Sequence, residues 1–391
     1  MASPLQVAKN AVRRLILPRP AHLDRAVPKS GPLVVAGMFR TGNGIGRAAR
    51  SCVEALTLEG HAPIAVDLSE MFNQVEGDAS VPLSPMPKTR SGTLILFANA
   101  PEVMRALVGL GLRRWHDWRL VGAWAWELPV APPGWSETAR MLSEMWYPSA
   151  FVRDALHKDI NSPAYIVPHF VAQNPDPRDD YFSGLSERPL RILCLADGRS
   201  SLPRKNLESA VGMFQRAFPG EENVTLCLKC RNLTLFEDQT RGLMELIRRD
   251  PRIELIDQTL PQPDLDRLIE THDIMLSAHR AEGFGLHLAE AMAAGRAAVA
   301  TGWSGNLEFM AEDNSVLLPY SMVSVQDDSG IYADFGHTEW AEADLDAGAA
   351  ALRALYADPG RLKRIAQAGH ASISSSLSPS NYSRALLAEP T

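Results

Sequence analysis

The chain has 391 residues, of which 46% are apolar and 22% charged, and it carries a net formal charge of −7. That length exceeds one ordinary core and predicts two domains, while the composition excludes disorder. The acidic balance argues against a nucleic-acid binder, which needs a basic face.

Apolar, β-rich runs alternate with helical runs along the chain. In the first half, strands are predicted at Leu33–Phe39, Pro63–Leu68, Thr93–Ala98, Leu120–Trp126, Glu144–Tyr147 and Tyr165–Pro168, with helices at Ile45–Glu59 and Pro101–Gly111. The polar, proline-bearing stretch Ala172–Asp180 reads as a linker. The second half repeats the plan. Its strands are predicted at Leu190–Ala196, Val224–Lys229, Ile253–Ile256, Asp273–Ala278, Ala297–Thr301 and Val316–Pro319, with helices at Lys205–Ala217, Asp264–Thr271 and Leu286–Ala294. A short helix within Leu377–Leu387 would close the chain. Near-continuous apolar strands alternating with helices indicate parallel sheets covered on both faces, here two in series. Ligands of such sheets bind beyond the carboxyl ends of the strands.

Cysteine usage and hydropathy place the chain in a reducing cytoplasm. Cys52, Cys194, Cys227 and Cys230 form no disulfide framework, and the Cys227/Cys230 pair lies in a strand-like run with no second pair for zinc. No run reaches the ~20 apolar residues of a membrane span. The basic, apolar run Ala8–Leu17 lacks an apolar core followed by a cleavage site, so no secretory leader is predicted.

Four segments just after strands carry chemistry. In the first, His279 through Gly295, a strand gives way to the loop Glu282-Gly-Phe-Gly285 and then to a helix. Gly283 and Gly285 let backbone approach a ligand, and the first amides of the helix, from Leu286 on, favour a phosphate. Glu282 and Glu290 are suited to accept hydrogen bonds from sugar or ribose hydroxyls. Otherwise Glu282 caps the helix and Glu290 is solvated.

The second segment is Asp197-Gly-Arg-Ser-Ser-Leu-Pro-Arg-Lys-Asn206. Ser200 bonds a phosphate or caps a turn. Arg204 and Lys205 fall at a predicted helix start, where the dipole disfavours cations, and an anion between them would explain the placement. Alanine at either position is expected to cripple function with the fold intact. The third segment, Gly37 through Arg47, carries Gly42, Gly44 and Gly46. Its spacing departs from the dinucleotide fingerprint and suits a phosphate or sugar, or merely a tight turn. The fourth, Trp124 through Trp135, sets Trp126 and Glu127 among aromatic rings that either stack on a sugar or fill the core.

Glu282-Gly-Phe-Gly285 with Glu290 resembles the E-x7-E signature of the retaining GT-B glycosyltransferases of family 4, the glycosyl transferases group 1. Further residues carry the likeness: Gly44-Ile-Gly46, Ala48-Ala-Arg50, Trp126-Glu-Leu-Pro129, Tyr147-Pro-Ser149, Asp197, Ser200, Arg204-Lys-Asn206, His279-Arg280, Ala289-Glu-Ala-Met292, Ser304-Gly-Asn306 and Trp340-Ala-Glu342. This set, across residues 33–358, is similar to a bacterial surface-polysaccharide branch that includes mannosyltransferases.

The resemblance implies two doubly wound Rossmann-like domains facing a central cleft. An acceptor-side domain would span 1–176 and a nucleotide-sugar domain 177–376, with 377–391 packing back on the first. It implies transfer of a hexose, mannose favoured, from a nucleotide diphosphate sugar to a saccharide or lipid-linked acceptor, with retention and with neither metal nor cofactor. Arg204 and Lys205 would hold the diphosphate, Glu290 the ribose, and Glu282 with the Gly283, Phe284, Gly285 and Leu286 amides the donor sugar and phosphate. Gly44 and Gly46 would also line the donor site. Where many relatives place a sugar-binding histidine, this chain has Trp126-Glu127. A non-catalytic nucleotide-sugar-binding protein is the alternative.

Asp264-Leu-Asp266 and Asp344-Leu-Asp346 do not follow strands as a metal-binding Asp-x-Asp does. They read as a helix start and as part of an acidic helical run. A lipid-linked acceptor would bring the chain to the inner membrane. Lys9–Arg19 and Arg113–Arg119 mix basic and apolar residues as interfacial segments do, or are ordinary surface helices.

Overall fold

A computed structural model of the chain describes residues 31–76, 80–111, 117–173, 184 and 187–388. Lys9–Arg19, Arg113–His116 and most of the expected linker, 174–180, lie outside the described residues.

The strands are β1 Leu33–Gly37, β2 Ile64–Asp67, β3 Ser91–Phe97, β4 Asp117–Ala123, β5 Glu144–Tyr147, β6 Ala164–Ile166, β7 Leu190–Asp197, β8 Val224–Arg231, β9 Ile253–Asp257, β10 Ile274–Ser277, β11 Ala297–Thr301, β12 Val316–Leu318, β13 Tyr320–Ser324 and β14 Glu339–Ala343. The helices are α1 Gly44–Leu58, α2 Ala100–Gly111, α3 Trp135–Ala139, α4 Ala150–Leu156, α5 Leu202–Lys205, α6 Leu207–Ala217, α7 Glu237–Arg249, α8 Gln262–Glu270, α9 Leu286–Ala293, α10 Leu345–Ala357, α11 Pro359–Ser376 and α12 Ser380–Leu387.

Two six-stranded sheets result, ordered β2-β1-β3-β4-β5-β6 and β12-β11-β10-β7-β8-β9, both parallel throughout. The short antiparallel pair β13–β14 stands apart. Successive side chains of a strand face opposite layers, and β8 shows why its run is apolar nearly throughout. Leu226, Leu228 and Cys230 enter one core layer with Val211, Phe214 and Leu352. Cys227 enters the other with Leu193, Leu288 and Met292. All four cysteines are buried free thiols.

The chain forms two compact units. One comprises the chain up to Trp126, Ala131–Phe170 and the chain from Pro379; the other comprises Glu127–Val130 and Val171–Ser378. Within the first unit, α12 docks through Arg119 of β4. The guanidinium grips the Glu144 carboxylate at 2.8 and 2.9 Å and donates to the Leu386 and Ala385 carbonyls at 2.6 and 3.3 Å. His169 Nδ1 and the Tyr382 hydroxyl meet at 3.1 Å.

Several expectations need correction. Trp118 and Arg119, read as part of an interfacial segment, are 0% and 4% exposed, because their β-strand is buried and Glu144 pairs the arginine. The helix expected over Lys205–Ala217 is two, broken at Asn206, which adopts the left-handed conformation (φ 54°). Asp344, expected to follow no strand, comes directly after β14, where it caps α10 by accepting from the Asp346 and Ala347 amides, whereas Asp264 lies in the first turn of α8 as expected.

Candidate active site

In the second unit, the loops after the adjacent strands β7 and β10 meet. The strand order turns at β7, with β8 on one side and β10 on the other, and loops diverge there to leave room for a ligand. After β7 the chain makes a 3-10 turn, Gly198–Ser200, and passes through Ser201, whose φ is 57°. The buried Ser201 hydroxyl accepts from the Arg204 amide at 3.3 Å and donates to Asp327 Oδ1 at 3.0 Å. Arg204 and Lys205 then fall in the last turn of α5. This corrects the expected placement at a helix start. The C-terminal end of a helix welcomes cations, so the dipole supplies no separate argument for an anion.

A strut holds this turn. Glu342 of β14 accepts from Asn206 Nδ2 (2.9 Å), the Ser209 hydroxyl (3.1 Å) and Arg280 Nε (2.5 Å). Arg280 in turn donates to the Pro203 carbonyl at 2.5 Å, and its amide donates to the Arg204 carbonyl at 2.8 Å. Its guanidinium lies 5.5 Å from the Trp340 ring centroid.

After β10 the chain enters Glu282-Gly-Phe-Gly285. The Glu282 amide donates to the Ser304 hydroxyl and the Gly305 amide to the Glu282 carbonyl, both at 2.8 Å. A Cβ at Gly305 would stand 2.1 Å from the Gly283 carbonyl oxygen, so only glycine lets these backbones meet. Gly285 (φ 89°) precedes α9 and no side chain caps that helix. Phe284 is buried against Phe309, while Leu286 and Glu290 are half-buried on α9.

The charges converge on Glu282. Its carboxylate, 6% exposed, lies 2.5 Å from Lys205 Nζ and 3.3 Å from Arg204 Nη1. Burial pushes this carboxyl up, but Lys205 and then Arg204 outweigh burial and hold it well below the usual carboxylate range. Arg204, 1% exposed, also donates to the Ala281 carbonyl (2.6 Å), the Ser200 carbonyl (3.0 Å) and the Ser200 hydroxyl (2.5 Å). Its Nε is buried with no hydrogen-bond partner among the described residues. Glu127 Oε1 stands 3.8 Å from Arg204, and its other oxygen accepts from the Tyr332 hydroxyl at 2.8 Å. Beneath the loop, burial lowers His279 to about 4 and His287 to about 3, so both rings are neutral at pH 7.

Ser200, Arg204, Lys205, Glu282 and Glu127 thus come together, with the Gly283–Leu286 loop and Glu290 on the same β10–α9 segment. Glu282 does not cap α9; its partners are the two cations. Arg204 also ties its loop to Ala281 and cannot be removed without cost to the fold, contrary to the expectation from sequence. Gly44, Gly46 and Trp126 belong to the first unit. A Cβ at Gly46 would meet Thr41 Oγ1 at 2.3 Å, so packing requires that glycine; one at Gly44 would meet nothing within 4 Å. Trp124 and Trp135 are core, and Trp126 packs 5.2 Å from the Trp135 centroid. Sequence reasoning missed Ser201, Asp327 and Tyr332. Asp327 gathers Ser201, the Ser329 hydroxyl and amide, and the Tyr332 amide, and no periodic pattern marks such a loop. Among the described residues, no group of three or more His, Cys, Asp or Glu side chains is placed to hold a metal ion.

Residues 194–328 match the family model described as Glycosyl transferases group 1. No curated protein matches the sequence significantly. Among solved structures, the chain is similar to Anabaena HepE in complex with UDP and glucose, at 14% identity and a TM-score of 0.64, over 91% of this chain and 98% of that one. It is similar to a glycosyltransferase from Rickettsia africae at 14% identity and a TM-score of 0.64, over 92% and 97%. A third likeness is to the E. coli trehalose-6-phosphate structure bound with UDP-2-fluoro glucose, at 12% identity and a TM-score of 0.61, over 91% and 98%. The fold is therefore that of the GT-B glycosyltransferases, two Rossmann-like α/β domains in one chain, and the segment that matches the group 1 family model carries Arg204, Lys205, Glu282 and Glu290.

Proposed function

We propose that the protein is a retaining glycosyltransferase that moves a hexose from a nucleotide diphosphate sugar to a saccharide or lipid-linked acceptor. The observation that carries this reading is the convergence of two cations, one carboxylate and an uncapped helix start at adjoining strand ends. In the transfer, the bond between the anomeric carbon and the diphosphate oxygen breaks, and the acceptor oxygen bonds to that carbon. The acceptor proton leaves with the nucleoside diphosphate. Negative charge grows on the leaving oxygen, where Arg204, Lys205 and the first amides of α9 stabilise it. They supply the role that a divalent metal plays elsewhere, so neither metal nor cofactor is required. Glu282 is set to bind donor-sugar hydroxyls and Glu290 the ribose.

The bound UDP and glucose of the Anabaena neighbour make UDP-glucose the first donor to test. The sequence resemblance favours mannose and a role in bacterial surface polysaccharide, with the enzyme in the cytoplasm. No described helix is long and apolar enough to cross a membrane. Any peripheral contact with the inner membrane falls to Lys9–Arg19 and Arg113–His116, since Trp118 and Arg119 are buried. The test is incubation of the purified protein with a panel of nucleotide sugars in EDTA, following nucleoside diphosphate release and the product anomer by NMR. Release of nucleoside diphosphate with a retained anomer supports the reading. Binding without turnover for every donor and acceptor would leave a non-catalytic nucleotide-sugar-binding protein.

A further inference from the structure

Lys229 interrupts the apolar run of β8. It is 6% exposed, and its ammonium donates to the Cys230 carbonyl at 3.0 Å. An ammonium has three donors, and this carbonyl is its single hydrogen-bond acceptor among the described residues. Burial lowers its proton affinity against the opposing pull of the nearby Asp257 and Asp197 carboxylates, and burying an ammonium with most of its donors unused is unfavourable. Nothing in the packing of β8 calls for a lysine, since Leu226, Leu228 and Cys230 fill the layer behind it.

Its position is informative. The Cys230 carbonyl also accepts from the Gln258 amide at 3.1 Å, where the β8–β9 ladder ends. Lys229 pairs with Leu195 of β7 and Ile256 of β9. The ammonium therefore lies at the carboxyl rim of the sheet. Cys227, two residues earlier and so on the same face, shares its layer with Leu288, Ala289 and Met292 of α9, the helix that bears Glu290. Along the rim, β8 is one strand from β7 and two from β10, roughly 5 and 10 Å. A nucleotide whose diphosphate sits at Arg204 and Lys205, with its ribose toward α9, can lay its base over β8.

We propose that Lys229 recognises the nucleobase, donating to a ring carbonyl oxygen, so that the site takes an oxo base (uracil, thymine, cytosine or guanine) in preference to adenine. This rests on the nucleotide-sugar reading of the same unit. A carbonyl oxygen would supply the acceptor that the buried ammonium lacks, whereas adenine has no exocyclic carbonyl.

The test is isothermal titration of wild type, Lys229→Met and Lys229→Gln with UDP, GDP, ADP and inorganic pyrophosphate. Wild type is expected to bind UDP or GDP more tightly than ADP. Both variants should lose about ten- to hundredfold in that affinity, the range for a hydrogen bond to a charged group, with pyrophosphate binding unchanged. Wild-type preference for ADP overturns the proposal, and this arm needs no variant to fold. Unaltered UDP and GDP binding in folded variants overturns it also, as does an equal loss for pyrophosphate. If wild type binds none of the four, the nucleotide-sugar reading itself falls.

Discussion

Replacing Arg204 by alanine should damage the fold as well as the chemistry. The side chain is 1% exposed and reaches three acceptors, the Ala281 and Ser200 carbonyls and the Ser200 hydroxyl, besides the Glu282 carboxylate at 3.3 Å. Alanine leaves those oxygens buried and leaves Glu282 with Lys205 alone. Removing one partner of a buried ion pair costs about 3–5 kcal/mol, a large part of the ~5–15 kcal/mol that holds a domain folded. With a urea m-value of about 2 kcal/mol/M, the midpoint of the second unit's transition should fall by roughly 2 M. Lys205→Ala removes a single contact from a less buried cation, so its midpoint should fall by about half as much or less. Arg204→Lys keeps the charge but loses the planar fork and should fall between them. Urea unfolding followed by far-UV CD and by fluorescence reads all three. An Arg204→Ala midpoint equal to wild type would refute the claim that this guanidinium fastens the β7 loop to Ala281. Because the alanine variant confounds folding with chemistry, Lys205→Ala is the cleaner probe of diphosphate binding.

Gly305→Ala places a methyl 2.1 Å from the Gly283 carbonyl oxygen and should cost about 1–3 kcal/mol as overpacking, whereas Gly44→Ala, with nothing within 4 Å, should stay within about 0.5 kcal/mol; thermal melts compare the two. Arg119→Ala strands the buried Glu144 and releases the acceptors on α12, so stability should fall by about 3–5 kcal/mol and amide exchange across Ser380–Leu387 should accelerate. His169 is buried, and that burial lowers it to about 4. Its native form therefore resists the proton that the unfolded chain takes up near pH 6.5, and the stability present above that pH is lost as pH falls toward 4. The loss is roughly 3 kcal/mol at most, so the stability difference between wild type and His169→Gln should shift by up to that amount in the variant's favour between pH 7 and pH 4. An unchanged difference would contradict the burial of that ring.

Much of the fold is legible because a parallel strand covered on both faces must be apolar along its whole length. Ala297–Thr301 and Glu144–Tyr147 stand in the structure with the bounds read from sequence. The β13–β14 hairpin was not read, since Tyr320–Ser324 is mostly exposed and carries no apolar alternation. The break at Asn206 was hidden for another reason: its side chain is held by Glu342, 136 residues away. The charged segment ending at Arg119 looked interfacial because its partner Glu144 lies on the next strand. At the site, residues joined by a loop and a helix start were legible from local spacing. Tyr332 and Asp327 reach the same place by tertiary contact alone, and Lys229 left only the faint signal of a charge inside an apolar strand.

The docking of α12 has a consequence for how the protein is made. The first unit emerges from the ribosome long before residues 380–387, yet Arg119 draws two of its acceptors from Ala385 and Leu386. Its apolar layer of Val35, Ala49, Cys52 and Trp146 likewise awaits Tyr382 and Ala385. Throughout translation of the second unit the nascent first unit therefore presents an uncovered apolar groove with a half-paired guanidinium beside it. Such a surface is what holdase chaperones bind. The first unit is thus completed late, when α12 arrives. Moving that helix to the front of the chain by circular permutation would let the unit close as soon as it is synthesised.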